Sequence, residues 1–274
     1  MSALRKYGGE AKILAGGQSL MPLLNFRMLR PAALIDINRL PGLDYVTQTE
    51  DGVRIGSLTR HYTLETSPTI GGHFPILQTA VTHVAHLAIR NRGTIGGSVA
   101  HADPAAELPM MAVLLDAQLT LRAADRTRTL AAMDFFLGPL TTALQEDEIV
   151  TEILLPGLAP AMGWGFEEFA LRPGDFAFAA VGALIKVQDA KAVEARIALM
   201  GVDEKPVRAS EAENTLVGES HRGDLIRAAA ESARAAVNPN SDLRASADYR
   251  RHLVAVLTER VLDAAWRRAN GESR

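Results

Sequence analysis

The sequence predicts an α+β protein built in two successive parts. Through the first half, short apolar segments typical of strands alternate with segments of helical periodicity. The stretch "LLPGLAPAMG", residues 154–163, then interrupts both patterns with prolines and glycines, which favour turns and linkers. Beyond it strand-like segments come first and helices follow, as in an α+β domain. We therefore place a first domain at residues 1–158 and a smaller second domain at residues 163–270.

The start of the chain resembles the last turns of a helix. In Ser2–Tyr7 the basic residues Arg5 and Lys6 suit the negative end of a helix, and the Gly-Gly pair that follows can end it. Because such a helix would begin at residue 2, we expect either that the chain is short at its N-terminus or that the start codon was set inside the first element. Three apolar segments then predict strands: Ala11–Ala15, Ala32–Ile37 and Val53–Thr59.

A longer segment has the periodicity of a helix packed on a sheet. Within Ile76–Ile89 the apolar residues fall on one face at helical spacing: Leu77, Ala80, Val81, Val84 and Ala88. Two further strands of the first domain are predicted after this helix, at Ala117–Ala123 and Glu148–Pro156.

The second domain is predicted to contain strands and then helices. The strand-like segments are Gly165–Leu171, Ala177–Val187 and Ala195–Met200. The last helix is expected at Asp248–Asn270, where Leu253, Leu257 and Val261 form an apolar stripe. Basic residues in its last turn and the glycine that follows are typical of a helix end.

The composition excludes several classes of function. A net charge of −3 gives no basic surface for nucleic acid. Because there is no cysteine, the chain can form no disulfide and cannot ligate an iron–sulfur cluster of its own. No apolar run is long enough to span a bilayer, and the first residues lack the apolar stretch of a signal peptide. We expect no transmembrane segment, and the reducing cytoplasm is the simplest location.

Two Gly-Gly pairs lie close to apolar segments, in "AGGQSL" (Ala15–Leu20) and in "TIGGS" (Thr94–Ser98). A glycine lets the main chain approach a ligand closely, and successive N–H groups can then bind an anion without a basic side chain. Neither segment matches the Walker motif or the dinucleotide-binding GxGxxG. Each pair alone is compatible with an ordinary turn, whereas two similar loops also suit a bound diphosphate.

Longer segments carry a resemblance to a known family. These segments occur in the order "KILAGGQSLMPLLNFRMLRPAALIDIN", "VRIGSLT", "RNRGTIGGSVAHADPAAELP", "DFFLGPLTTALQEDEIVTEILLP" and "FALRPGDFAFAAVGA". Together they closely resemble the medium, FAD-binding subunit of molybdenum hydroxylases, the family of carbon monoxide dehydrogenase, with xanthine dehydrogenase as a more distant relative. The resemblance covers nearly the whole chain, and the two glycine motifs in tandem are its most specific part.

The resemblance implies both a fold and a cofactor. The fold is a two-part FAD-binding domain of the PCMH/VAO type, followed by a smaller α+β domain of the carbon monoxide dehydrogenase flavoprotein type. FAD would be bound without a covalent link, with its diphosphate between the two glycine loops. No catalytic residue and no metal ligand is predicted in this chain.

The resemblance also implies which residues contact FAD. In the first loop these are Leu14, Ala15, Gly16, Gly17, Gln18, Ser19 and Leu20, and in the second Thr94, Ile95, Gly96, Gly97 and Ser98. Outside the loops they are Gly56, Thr59, Val84, His101, Asp103, Glu107, Leu108 and Val150. Ordinary alternatives exist: Asp103 could begin a turn, Glu107 could be a solvated helix residue, and a strand valine such as Val150 is core in most proteins.

The implied function is electron transfer within a larger complex. The chain would be the FAD subunit of a heteromeric molybdenum hydroxylase, taking electrons from [2Fe–2S] clusters and passing them to an external acceptor. The clusters and the molybdenum cofactor would lie only in partner subunits, a small iron–sulfur subunit and a large molybdopterin subunit, assembled as a dimer of heterotrimers. The alternatives are a stand-alone flavin-dependent reductase of the same fold superfamily and a non-catalytic scaffold.

Overall fold

The chain crosses three times between two structural units in this computed structural model, which describes residues 2–272. Unit 1 consists of the chain up to Asp103 together with Asp116–Gly157. Unit 2 consists of Pro104–Leu115 and the chain from Leu158 onward. A short segment between two parts of unit 1 therefore belongs to unit 2.

Helices and strands alternate through unit 1, and unit 2 contains a sheet and long helices. The helices of residues 2–272 are α1 (Ser2–Tyr7), α2 (Leu20–Asn25), α3 (His61–Thr66), α4 (Pro68–His73), α5 (Pro75–His83), α6 (Leu87–Arg90), α7 (Ile95–His101), α8 (Glu107–Leu114), α9 (Ala132–Phe135), α10 (Ser210–Leu216), α11 (Gly223–Ala235) and α12 (Ala247–Ala269). The strands are β1 (Ala11–Leu14), β2 (Ala33–Asp36), β3 (Val46–Thr49), β4 (Gly52–Gly56), β5 (Gln118–Arg122), β6 (Thr127–Ala131), β7 (Phe136–Gly138), β8 (Thr141–Thr142), β9 (Ile149–Pro156), β10 (Gly163–Phe169), β11 (Ala179–Gln188), β12 (Lys191–Met200) and β13 (Val207–Arg208). None of these helices is both long and apolar enough to cross a membrane.

The core of unit 1 lies against a five-stranded antiparallel sheet of order β3-β4-β9-β5-β6. Alternate residues of its central strands are buried, as the period of two predicts for a sheet with one face on the core. Ile55 of β4 pairs with Ile153 of β9, and Ile153 also pairs with Leu119 of β5. The predicted strands at 53–59, 117–123 and 148–156 are confirmed, although the first ends already at Gly56.

A separate pair of parallel strands positions the first glycine loop. β1 and β2 pair from Ala11 with Ala33 to Leu14 with Asp36, which confirms both predicted strands. Because parallel strands end at the same edge of a sheet, the loop after β1 and the loop after β2 leave the pair side by side. Asn38, two residues beyond β2, therefore lies next to Ala15, the first residue beyond β1.

The prediction of one helix over residues 76–89 is wrong. The segment forms α5 and α6, which are separated by an extended Val84 and by Ala85 at a φ of +44°. Arg90 stabilises this break because its Nη1 donates to the carbonyls of Val84 and Ala85 at 3.1 and 3.2 Å, while its Nε pairs with Glu65 at 2.7 Å. Val84 is therefore not on the apolar face of α5.

Unit 2 consists of an antiparallel sheet of order β10-β11-β12-β13 with helices on both faces. The core on one face contains Val181 and Ala183 of β11 together with Val261 and Trp266 of α12. Gly182 points to the other face, where a Cβ would lie 2.8 Å from Leu114 of α8. The three predicted strands of this domain and its last helix are confirmed.

A buried carboxylate joins the end of β6 to the turn before β9. The Glu148 side chain is fully buried and accepts hydrogen bonds from Arg128 Nη2 at 2.7 Å and from the Gln145 amide at 3.0 Å. The hydrogen bond from Arg128 is the largest influence on the carboxyl group and holds the pKa of Glu148 below its ordinary value of 4.5.

We predict that Glu148→Gln lowers the free energy of unfolding by about 2 kcal/mol at pH 7, because a charged hydrogen bond is lost in a buried place. Since the native pKa is depressed, the stabilisation by Glu148 is complete above about pH 4.5 and is lost as the pH falls through the native value. Urea titrations should therefore show that the free energy of unfolding falls less between pH 7 and pH 4 in the variant than in the wild type. Glu146→Gln, at an exposed neighbour, is the control. An unchanged midpoint for Glu148→Gln would contradict the prediction.

Candidate functional site

The first glycine loop lies directly against the peptide that leads into the second. A Cβ on Gly16 would lie 2.3 Å from the Arg92 carbonyl oxygen and 2.8 Å from the Gly93 Cα, so no other residue fits there without movement of the main chain. Gly17 has a φ of +75°, in the left-handed region that favours glycine. Close approach at Gly16 and the turn at Gly17 therefore explain the first Gly-Gly pair.

The second glycine loop forms the first turn of α7. Its Gly97 is close to the first loop, because a Cβ placed on Gly97 would lie 3.9 Å from the Cβ of Ala15. Gly96 is pressed against the end of β4, where its Cβ would lie 2.5 Å from the Cβ of Ser57. The two loops, which are far apart in the sequence, are thus neighbours in unit 1.

The two loops differ in their free hydrogen-bond donors. In the second loop the amides of Ile95, Gly96 and Ser98 donate to the carbonyls of Thr59, Ser57 and Thr94. The Gly97 amide donates to the Thr94 hydroxyl at 3.1 Å. The amides of Ile95–Ser98 thus already donate hydrogen bonds within the fold.

The first loop retains its donors. Among the hydrogen bonds found within residues 2–272, none is donated by the amides of Gly16, Gly17, Gln18 or Ser19. The side chain of Gln18 donates back to the Gly16 carbonyl at 3.0 Å, which closes the loop on itself. Successive unpaired amides of this kind suit an anion.

Two residues of the predicted set hold the main chain of unit 1 together. The Thr59 hydroxyl donates to the Tyr45 carbonyl at 2.9 Å and accepts from the Tyr45 amide at 3.1 Å, and its residue is fully buried. A Cβ on Gly56 would lie 2.4 Å from the Leu43 carbonyl oxygen. These contacts account for Gly56 and Thr59 at the end of β4 without a ligand, so a cofactor contact at either remains a prediction.

The remaining predicted residues lie at several places in the fold. Val150 is buried in β9, and Val84 follows α5. His101 ends α7, where burial lowers the pKa of its imidazole and the neighbouring Asp103 opposes that shift. The remaining two residues of the predicted set, Glu107 and Leu108, begin α8 in unit 2. Contacts of these residues with FAD also remain predictions.

Two residues outside the predicted set, Asn38 and Arg60, connect the loops. The side-chain amide of Asn38 donates to the Ala15 carbonyl at 2.7 Å, and its oxygen accepts from Arg60 Nη2 at 3.0 Å. Arg60 Nη1 in turn donates to the Arg92 carbonyl. The only signal in the sequence was their position, since Asn38 follows a predicted strand and Arg60 follows the segment "IGSLT".

Buried polar atoms without a partner lie beside the second loop. They are the Ser57 hydroxyl and both ring nitrogens of His61. The imidazole of His61 packs on Gly93, where a Cβ would lie 2.8 Å from the ring. Burial lowers the pKa of His61 to about 4, because a charged ring would lose its hydration, so the ring is neutral at pH 7.

We predict that the buried His61 makes unfolding strongly pH-dependent. The unfolded ring binds a proton below its ordinary pKa of 6.5 and the native ring only below about 4, so stability is complete above pH 6.5 and declines as the pH falls toward 4. The difference between these two pKa values corresponds to roughly 3 kcal/mol of unfolding free energy. The difference in unfolding free energy between wild type and His61→Leu, followed from pH 7.5 to pH 4, should reveal this slope. The exposed His86→Leu is the control, and parallel curves for wild type and His61→Leu would refute the prediction.

Comparison with known proteins decides the family. The model of the FAD-binding domain in molybdopterin dehydrogenase matches residues 1–158, and that of the CO dehydrogenase flavoprotein C-terminal domain matches residues 164–265. The chain belongs to the FAD-binding medium subunits of molybdenum hydroxylases. The predicted family and fold class are thereby confirmed, and the chain is a subunit of an oxidoreductase.

Individual relatives agree with this assignment over almost their whole length. The chain is 41% identical to the 6-hydroxypseudooxynicotine dehydrogenase complex subunit alpha of Paenarthrobacter nicotinovorans, over 96% of this chain and 89% of that protein. It is 35% identical to the carbon monoxide dehydrogenase medium chain of Hydrogenophaga pseudoflava, over 98% of this chain and 93% of that protein. The solved structure of carbon monoxide dehydrogenase from Hydrogenophaga pseudoflava contains a chain that superimposes on this one with a TM-score of 0.95 at 37% identity. The match covers 97% of this chain and 93% of that chain.

The cofactor of this medium subunit is FAD, and the residues of unit 1 fit it. Among the hydrogen bonds of residues 2–272, none is donated by the run of amides that follows β1, and the Gly16 position beside them is closed to any Cβ. These amides offer donors to a diphosphate without a basic side chain in either loop. The sequence has no cysteine, so this chain offers no thiolate to ligate an iron–sulfur cluster.

Proposed function

We propose that this subunit takes electrons from the [2Fe–2S] clusters of a small partner subunit and passes them to an external acceptor. The observation that carries the proposal is the adjacency of the two glycine loops, with free amides on the first, in a chain that has no cysteine. Such a chain can bind a flavin nucleotide but has no cysteine to ligate a cluster, so the proposed clusters belong to another polypeptide.

The residues of the loops bind and orient the cofactor in this proposal. The amides of Gly16–Ser19 donate to the diphosphate, and the glycines keep the main chain close to it. FAD, when bound, accepts electrons singly and releases them in pairs, which suits a place between clusters and a two-electron acceptor. No acid–base or nucleophilic group of this chain is required for that role.

The finer features of the assembly also belong to the proposal. We propose a small [2Fe–2S] partner and a large molybdopterin partner, arranged as a dimer of heterotrimers in the cytoplasm. We further propose domain limits of 1–158 and 163–270 and contacts of the predicted residues with FAD. Similarity to medium subunits supports these features, because each such relative is named as one component of a larger enzyme.

An anaerobic electron-transfer experiment tests the proposal without knowledge of the substrate. The small subunit encoded with this chain is reduced by dithionite, freed of excess reductant and mixed with the FAD-loaded chain. Loss of flavin absorbance should accompany loss of the cluster's electron paramagnetic resonance signal. An external acceptor added afterwards should restore the flavin absorbance.

Three outcomes would count against the proposal. If the isolated chain is reduced by NAD(P)H at a rate typical of turnover and reduces a small substrate by itself, it is a stand-alone reductase. If the purified chain is colourless and takes up no FAD, it is a scaffold. A stable homo-oligomer that fails to bind the small and large chains in native mass spectrometry would also count against the proposal.

A further inference from the structure

We infer that Asn38 and Arg60 form a clamp that sets the spacing of the two glycine loops for one diphosphate. The clamp is the chain of hydrogen bonds that runs from the first loop through the side chains of Asn38 and Arg60 to the Arg92 carbonyl. Neither side chain belongs to the loops themselves. The inference rests on the proposed placement of the FAD diphosphate between the loops.

The Asn38 side chain holds the start of the first loop. Its Nδ2 lies 2.7 Å from the Ala15 carbonyl oxygen and 3.3 Å from that of Leu14. Asp36 Oδ1 accepts from the same Nδ2 at 2.7 Å and from the Asn38 main-chain amide at 2.9 Å, which fixes the side-chain rotamer. The Leu14 and Ala15 carbonyls are thus occupied by Asn38, while within residues 2–272 the amides of Gly16–Ser19 donate no hydrogen bond.

The Arg60 side chain connects that anchor to the second loop. Its Nη2 donates to Asn38 Oδ1 at 3.0 Å, and its Nη1 donates to the Arg92 carbonyl, which is the same oxygen that closes the Gly16 position. The main chain around Arg60 is held to the second loop as well, because Arg60 and Thr94 form an antiparallel bridge. Both the main chain and the guanidinium of Arg60 are therefore held next to the second loop.

The clamp makes the loops rigid and supplies a charge that they lack. Both loops are free of lysine and arginine, yet a diphosphate carries a net negative charge. The guanidinium of Arg60 places one positive charge beside the junction of the loops. Because its fork is planar, the two donors hold Asn38 and Arg92 at a fixed separation, whereas a lysine could satisfy only one of them well.

Binding of three ligands by the deflavinated chain tests the clamp. Asn38→Ala and Arg60→Met should each raise the dissociation constant for FAD by about tenfold to a hundredfold. The affinity for ADP, which shares the diphosphate, should fall by the same factor. The affinity for riboflavin, which has no phosphate, should not change. The double variant should be no weaker than the weaker single variant, since either change opens the same chain of bonds. Arg60→Lys should recover only part of the affinity.

Matched controls separate the clamp from general damage. Asn91→Ala and Arg122→Met remove an exposed asparagine and an exposed arginine of unit 1 and should leave all three affinities unchanged. Equal losses for FAD and riboflavin, with a lower melting temperature of the deflavinated chain, would show a purely structural role and overturn the inference. Additive losses in the double variant would overturn it too.

The failure of the clamp is distinguishable from the failure of the site. If Gly16→Ala removes FAD but Asn38→Ala and Arg60→Met bind FAD and ADP as wild type does, the clamp is wrong and the loops still bind the diphosphate. If Gly16→Ala itself retains full FAD affinity, the placement of the diphosphate is wrong and the clamp falls with it.

Discussion

Gly16→Ala is expected to yield a folded protein without bound FAD. The added Cβ would lie 2.3 Å from the Arg92 carbonyl oxygen and 2.8 Å from the Gly93 Cα, both main-chain atoms that no side-chain rotation can relieve. The loops must therefore separate, and the amides of the first loop lose their position relative to the second. We expect FAD to bind at least about a hundredfold more weakly, with a loss of stability of about 1–3 kcal/mol from overpacking.

The measurement is the flavin content of the purified chain, followed by titration of the deflavinated chain with FAD. Gly72→Ala is the matched control, because a Cβ at this exposed position in α4 meets no atom within 4 Å. It should keep its flavin and gain a little stability, since alanine is the better helix former. Wild-type flavin content in Gly16→Ala would end the assignment of the diphosphate to these loops.

The sequence predicts the location of this site better than its chemistry. A Gly-Gly pair after a strand marks a close approach of the main chain, and the close contact at Gly16 confirms that inference. The Gly-Gly pair itself does not reveal which main-chain amides already donate hydrogen bonds within the fold. Gly96 donates to the end of β4, a contact between segments that are distant in the sequence. The roles of Asn38 and Arg60 cannot be predicted from the sequence either, because tertiary packing determines which groups they contact.

In the fold, too, some elements are determined by neighbouring residues and others by residues distant in the sequence. The strands β10, β11 and β12 and the long α12 follow from periodicity, a local property from which the sequence alone predicts them. The break between α5 and α6 depends on Arg90, whose charge is held by Glu65 from α3. Apolar spacing continues across Val84, so periodicity alone predicts one helix there. Short elements such as β7 and β8 carry too few residues for a pattern.

Gly165→Ala is expected to destabilise unit 2 by about 3 kcal/mol, at the upper end of the usual cost of overpacking. Alternate residues of β10 face α12, and a Cβ on Gly165 would lie 2.3 Å from the Val261 carbonyl oxygen. Gly163 makes the same kind of contact one turn further along the helix, where its Cβ would lie 2.0 Å from the Ala265 carbonyl oxygen. The strand and the helix main chain are thus in direct contact at both glycines.

The cost should be high because α12 cannot yield at one point alone. Val261 and Trp266 are buried in the core of unit 2, so a helix displaced at Gly165 would also open that core. Replacement of glycine restricts the unfolded chain and by itself favours folding by less than about 1 kcal/mol, which is too little to offset the clash. Calorimetric melting of Gly165→Ala beside Gly223→Ala measures the difference. At Gly223, in the first turn of α11, the nearest atom to an added Cβ is 3.5 Å away, at the end of the Arg227 side chain. Equal melting temperatures for the two variants would mean that β10 and α12 can separate without loss, and that their close contact does not stabilise the unit.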